Sequence, residues 1–202
     1  LQQGEVISKA HGKLAVITPS NALADWAAKD QIIADGFVTR AGVFSADGPD
    51  HASQLLANIL PAKLPPRVAD FGAGWGYLSR AILAREGVRT LDLIEAEAEA
   101  LSCARQNITD PRAQFHWADV TTFRPTRLWD AIVMNPPFHT ARTPDPALGV
   151  AFIRAAHRGL APDGVLWMVA NRHLPYEPVL KALFRQVEEI GDDGAFRVTR
   201  AA

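Results

Sequence analysis

Asp70-Phe71-Gly72-Ala73-Gly74-Trp75-Gly76, entered through Val68-Ala69, is the stretch whose reading decides the fold. A short apolar run that closes on a carboxylate and three alternating glycines reads as a strand, a tight turn and the start of a helix. Glycines at that junction let the backbone approach a ligand closely, at the C-terminal edge where open α/β sheets bind. A dinucleotide-binding turn calls for G-x-G-x-x-G. This loop is G-x-G-x-G, and Tyr77 holds the place of the third glycine. A tight turn with no ligand would use glycine too, so the decision passes to what surrounds the loop.

Outward from the loop the pattern is regular. Strands are predicted at 68–71, 89–94, 113–117, 129–134 and 165–170, with helices running to about 85, over 97–107 and over 147–160. Alternating strands and helices give a doubly wound α/β sheet, mostly parallel. The end differs: a helix at 179–184 is followed by apolar stretches at 186–190 and 195–199 around Gly191-Asp192-Asp193-Gly194. This is a hairpin signature, so a seven-stranded sheet should close with an antiparallel strand. Upstream, 5–8 and 14–17 read as a hairpin around His11-Gly12, with nothing to pack on. Residues 20–30 read as an amphipathic helix capped by Ser20 or Asn21, 37–44 as a strand, and 47–49 as a turn. Asp50 then caps a helix running to 60.

Carboxylates recur at successive strand ends. Glu95 closes the second strand roughly twenty residues after the glycines, where a carboxylate can accept both hydroxyls of a ribose. Asp119 follows the third strand and could accept from an adenine amino group, while Asp70 could hold the ammonium of a methionine moiety. Each alone could be a cap or a solvated loop acid. Together on one rim they outline a cofactor site of Asp70, Gly72, Gly74, Gly76, Glu95 and Asp119.

Asn135-Pro136-Pro137-Phe138 leaves the apolar strand at 131–134 and is the most specific signal in the chain. An exocyclic amine on a base is a poor nucleophile, because its lone pair is delocalised into the ring. A catalyst must accept its N–H bonds, aim the lone pair and stabilise the positive charge that grows on nitrogen. The Asn135 side-chain oxygen and the Pro136 carbonyl are two such acceptors. The prolines fix φ and remove competing donors, and Phe138 offers a flat face to an unstacked base. A rigid Pro-Pro turn is the plain alternative. His139 is given no catalytic role, since an amine can shed its proton after attack on a sulfonium.

Composition sets outer bounds. The 202 residues are 48% hydrophobic and 21% charged, enough for a core and too apolar for wholesale disorder. A net charge of −1 argues against a generic basic nucleic-acid binder, so any RNA contact must be local or come from further chain. Cys103, the single cysteine, reads as a buried small hydrophobe. One cysteine and scattered histidines give no metal site. No apolar run is long enough for a membrane helix and no signal peptide is visible, so a cytoplasmic location is expected.

On these segments the chain resembles the bacterial ribosomal RNA guanine-N2 methyltransferases of the RsmC type, enzymes with the class I methyltransferase, Rossmann-like sheet. The matching stretches are Gly42 to Gly48 with Ser53 to Leu56, Asp70 to Gly76, Asn135 to His139, Val169 to Tyr176 and Gly194 to Val198. They run from about Asn21 to the C-terminus. The resemblance implies S-adenosyl-L-methionine as methyl donor, 16S ribosomal RNA or the small ribosomal subunit as partner, and the guanine 2-amino group as target. It places Asn135, Pro136 and Phe138 at the acceptor and Phe44 beside the cofactor, which Asn135 is expected to touch as well, with Arg172 and His173 as candidates for phosphate or base contact. Arg142 is a further basic residue near the rim.

It also implies that 21–202 is the catalytic domain and that residues 1–20, opening at Leu1, are the tail of a preceding RNA-binding domain. Phe71 and Trp75 are bulkier than the family's usual loop residues, and Glu95 stands where Asp is common. Planar amines on DNA adenine or a protein glutamine remain open as acceptors. So does a catalytically silent module that only binds RNA or a partner. A dehydrogenase is disfavoured by Tyr77 and the C-terminal hairpin.

Overall fold

The computed structural model describes residues 3–9, 12–18, 20–140, 143–144 and 146–202. Strands β1 (Gln3–Lys9) and β2 (Gly12–Ile17) form the antiparallel hairpin expected from the sequence, and its Val6, Ile7, Leu14, Val16 and Ile17 side chains are exposed. The predicted α-helix over 20–30 is not formed. Asn21–Trp26 is a 3-10 helix, capped as expected by Ser20, whose hydroxyl accepts from Ala22 N at 3.3 Å. The following Asp30 is drawn into β3 (Asp30–Ile32), where it accepts from Arg40 Nε at 2.5 Å. The predicted strand over 37–44 is likewise shorter. Only β4 (Val38–Arg40) pairs, because its partner β3 offers three residues, and the chain then turns at Gly42 (φ 100°).

The remaining elements follow in alternation. They are α1 (His51–Ile59), β5 (Arg67–Phe71), α2 (Tyr77–Leu83), β6 (Thr90–Glu95), α3 (Ala98–Asn107), β7 (Ala113–Trp117) and β8 (Trp129–Met134). A two-residue ladder, β9 (His139–Thr140) with β10 (Thr143–Pro144), was not foreseen. It leads into α4 (Pro146–Gly159), β11 (Leu160–Asn171), α5 (Glu177–Leu183), β12 (Val187–Asp192) and β13 (Phe196–Ala201).

Seven strands pair in the order β12-β13-β11-β8-β5-β6-β7. The five strands from β11 to β7 are parallel, and β13 runs antiparallel between β11 and β12. This is the class I methyltransferase sheet.

Side chains alternate across it, as period two requires. Val68, Leu91, Leu93, Ala131 and Val133 face Leu56 of α1 and Leu78 and Ile82 of α2. Ala69, Phe71, Ile94, Ile132 and Met134 face Phe152 and Ile153 of α4 and Leu180 of α5. Fully buried leucines and isoleucines of this kind contribute about 1.5–3 kcal/mol each, so the two faces fix the frame that carries the loops.

The chain winds outward through β5, β6 and β7 on one side and through β8 and β11 on the other. The switch point therefore lies between β5 and β8, where open α/β sheets form their crevice.

Candidate active site

The register Phe71↔Met134 ends β5 and β8 together, so Gly72 and Asn135 emerge side by side at the switch point. A cleft there brings together Phe44, Asp50, Ser53, Gly72, Gly74 and Asn135. Gly74 has φ 55°, and a Cβ added to it would meet nothing within 4 Å, so its bare surface is turned to open space. Gly76 (φ 95°) is glycine for a different reason: a Cβ there would lie 3.1 Å from Ile108 of the α3 end.

Trp75, the bulky departure in the loop, has a structural task. It is 3% exposed and packs edge-on against Phe37 at 4.8 Å, with Val43 and Cys103 in the same cluster. Its indole Nε1 donates to the Phe44 carbonyl at 2.9 Å. Asn107 adds a second clamp, since its Nδ2 donates to the Trp75 and Val38 carbonyls, both at 2.8 Å, and its Oδ1 accepts from Val38 N at 2.7 Å. The segment before α1 is thus hung on the cofactor loop, and Phe44 is presented 61% exposed on the cleft wall. Ser45 takes the left-handed region (φ 54°), and its hydroxyl donates to the Gly48 carbonyl at 2.7 Å.

Asn135 is held by its amide nitrogen. Nδ2 donates to Asp50 Oδ2 at 2.9 Å and to Ser53 Oγ at 3.0 Å. An ionised carboxylate only accepts, so the nitrogen must face Asp50 and the amide oxygen must turn the other way. Pro136 is buried, Pro137 exposed and Phe138 half-buried. Asp50 was legible as the cap of α1, and it does accept from Ser53 N at 2.9 Å. Its second contact crosses 85 residues of sequence and carried no local signal.

The three acids stand in three different states. Asp70 is fully buried under the loop. Its Oδ2 accepts from Ser79 Oγ at 2.6 Å, while its Oδ1 has no hydrogen-bond partner among the described residues. Burial pushes its carboxyl up to about 7; the Ser79 hydrogen bond opposes this, and nearby Glu95 adds to the rise. Glu95 is bridged by backbone: Oε2 accepts from Gly74 N and Oε1 from Glu97 N, each at 2.8 Å. Asp119 is exposed, and its Oδ1 accepts from Thr121 N at 2.7 Å and Thr121 Oγ1 at 2.8 Å.

Asp70, fully buried, does not itself line the cleft; it lies at the end of β5 beneath the loop whose Gly72 and Gly74 do. The cleft gathers Phe44, Gly72, Gly74 and Asn135, with Glu95 touching it through Gly74. Gly76 serves packing, and Asp119 lies apart.

Of the basic residues singled out, Arg172 is committed elsewhere. It pairs with Glu189 at 3.0 Å and with Asp192, tying the C-terminal hairpin to the end of β11. His173 donates its backbone N–H to Asn171 Oδ1 at 3.0 Å. Arg142 and the His139 side chain lie outside the described residues. Among the described residues no helix is long and apolar enough to cross a membrane, and no group of three His, Cys, Asp or Glu side chains could hold a metal ion.

Residues 35–200 match the profile of the family described as methyltransferase small domain. The chain is 33% identical over 191 residues to ribosomal RNA small subunit methyltransferase C of Salmonella choleraesuis, covering 94% of this chain and 56% of that protein. It is 32% identical over 165 residues to ribosomal RNA large subunit methyltransferase G of Streptomyces avermitilis, covering 80% and 43%. Among solved structures, it superposes on the T. thermophilus 16S rRNA N2 G1207 methyltransferase (RsmC) in complex with AdoMet and guanosine. There the TM-score is 0.70 and the identity 29%, covering 86% of this chain and 49% of that one. The chain spans about half the length of the curated relatives it matches.

Proposed function

Because the chain belongs to the methyltransferase small domain family, we propose that it transfers a methyl group from S-adenosylmethionine to the exocyclic amine of a nucleobase, guanine N2 of 16S ribosomal RNA. The observation that carries this reading is the amide of Asn135, turned oxygen-outward beside the cofactor loop. The T. thermophilus neighbour, described in complex with AdoMet and guanosine, supports the same donor and base.

Asp70 would hold the ammonium and Glu95 the ribose hydroxyls, with Gly72 and Gly74 giving close approach and Phe44 forming a wall. When bound, S-adenosylmethionine would supply a methyl group on a positively charged sulfur; as the acceptor nitrogen takes it the carbon–sulfur bond would break, and the nitrogen would then shed one proton to solvent. Asn135 Oδ1 and the Pro136 carbonyl accept the two N–H bonds of the amine, turning its lone pair toward the incoming carbon and stabilising the charge that develops. Phe138 supports the unstacked base.

The test is methyl acceptance from labelled cofactor by 16S RNA, large-subunit RNA, duplex DNA and a release-factor peptide, with the modified nucleotide mapped by mass. Label in N2-methylguanosine of 16S RNA is the expected result. Label confined to peptide glutamine or adenine N6 would overturn it. Large-subunit RNA is the second reading, favoured by the 32% identity to the S. avermitilis protein, and the same assay separates the two.

A further inference from the structure

We infer that Asp50 and Ser53 are positioning residues for the transfer step: they decide which end of the Asn135 amide faces the methyl acceptor. This rests on the assignment of Asn135 to the acceptor amine. The oxygen and nitrogen of an asparagine side chain occupy nearly the same volume, so packing alone does not choose between them. A flipped Asn135 would present two N–H donors to an amine that needs acceptors. It would also bring its oxygen to the place where Nδ2 now sits, 2.9 Å from the Asp50 carboxylate and 3.0 Å from the Ser53 hydroxyl. The contact with the carboxylate is then repulsive, and the charge-assisted hydrogen bond is lost. The flip is therefore strongly disfavoured while both partners are present.

Asp50 is itself set by the helix it caps. The same Oδ2 that receives Asn135 also accepts from Ser53 N at 2.9 Å, and the Asp50 carbonyl accepts from Gln54 N at 2.9 Å. The Gln54 side chain reaches back to the Pro49 carbonyl at 2.7 Å. Ser53 is buried, and α1 is seated in the core by Ala52 and Leu56. The first turn of α1 is thus a rigid bracket, and Asn135 hangs from it rather than from its own strand.

Because one carboxylate oxygen does both jobs, the positioning role can be separated from the capping role. Asp50→Asn keeps a single carbonyl oxygen able to accept from both Ser53 N and Asn135 Nδ2. Asp50→Ser keeps a good cap on a side chain one atom too short for Asn135. In the full chain with S-adenosylmethionine and deproteinised ribosomal RNA, Asp50→Ser should lower kcat by about tenfold or more. KM and cofactor affinity should stay within about threefold of wild type, and Asp50→Asn should recover most of the lost rate.

In an Asn135→Ala background, Asp50→Ser should add no further loss, since the group it positions is gone. Independently of any substrate, the Asn135 side-chain NH2 protons should exchange slowly in wild type and Asp50→Asn, and rapidly in Asp50→Ser. Additive losses in the double variant, or unchanged exchange of the Asn135 amide in Asp50→Ser, would overturn the inference. If wild type methylates no ribosomal RNA, the functional reading fails, and the exchange comparison alone then decides whether Asp50 holds the amide.

Discussion

The two sides of the cleft, which the proposed function assigns to methyl acceptor and methyl donor, are held by different chemistry. At the acceptor end a neutral amide is held from behind by two partners contributed by a different element. At the donor end the acids have no paired side-chain bracket of that kind: Glu95 accepts from backbone, Gly74 N of the neighbouring loop and Glu97 N of its own, and Asp70, which accepts from Ser79 Oγ, is left with one oxygen unpartnered among the described residues. The difference follows from symmetry. A carboxylate presents two equivalent oxygens with several lone pairs, so it can be anchored and still accept from a ligand. An amide has unlike ends, and only an external bracket gives it a direction.

Substitutions can break this comparison, and the largest effect should come from the amide. Asn135→Ala is expected to lower methyl transfer by about a hundredfold or more while leaving cofactor affinity nearly unchanged. Calorimetry and single-turnover transfer on one preparation check this; equal losses of both would move Asn135 to the donor end.

Asp70 comes next, through stability. Its carboxyl titrates near 3.8 when unfolded and is held up at about 7 in the folded chain, chiefly by burial. Between those values the native state binds the extra proton. In the ligand-free protein the contribution of Asp70 to stability should therefore be full below about pH 4 and be lost as pH rises to 7. Asp70→Asn should remove that loss, on the order of 4 kcal/mol, so its melting temperature should exceed wild type at pH 8 by more than it does near pH 4. The same variant should bind S-adenosylmethionine more weakly. Melting curves that run parallel across pH would show that Asp70 is not the group responsible.

Glu95→Ala should weaken cofactor binding by about 1–2 kcal/mol with little change in kcat at saturation. Asp119→Ala is the smallest change, under about 0.5 kcal/mol in cofactor affinity, because its exposed carboxylate already serves Thr121. A larger value for Asp119, measured in the same titration, would restore it to the adenine pocket that its place after the third strand suggested.

What the sequence made legible was whatever leaves a local trace. The alternation from residue 67, the glycines of the loop, the Ser20 and Asp50 caps and the hairpin around Gly194 all depend on neighbours a few positions away. All are present. The errors lie where a distant partner outweighed local preference. Residues 20–30 carry a helical pattern, yet Asp30 is claimed by Arg40 across a strand pair, and 37–44 shortens to the length its partner allows. The same holds in the site. Arg172 looks like a phosphate ligand until the hairpin folds over and supplies Glu189 and Asp192. Trp75 looks like an oddity until Phe44 and Phe37 are placed against it.

The position of β13 has a consequence for how this sheet is made. It follows β12 in the chain but lies inside it, hydrogen-bonded to β11 on one side and β12 on the other, with Ala202 and Gln186 exchanging a further pair of bonds. A ribosome delivers the strands in chain order, so β11 and β12 emerge while the slot between them is still empty. Until residue 201 is free, β11 carries an open backbone edge beside the apolar Leu166, Met168 and Ala170, the kind of edge that recruits foreign strands. Proteolysis after Gly194 would recreate that exposure and release β12 as well. Of the strands in this sheet the last in chain order is thus an interior one, and its insertion is what closes the β11 edge.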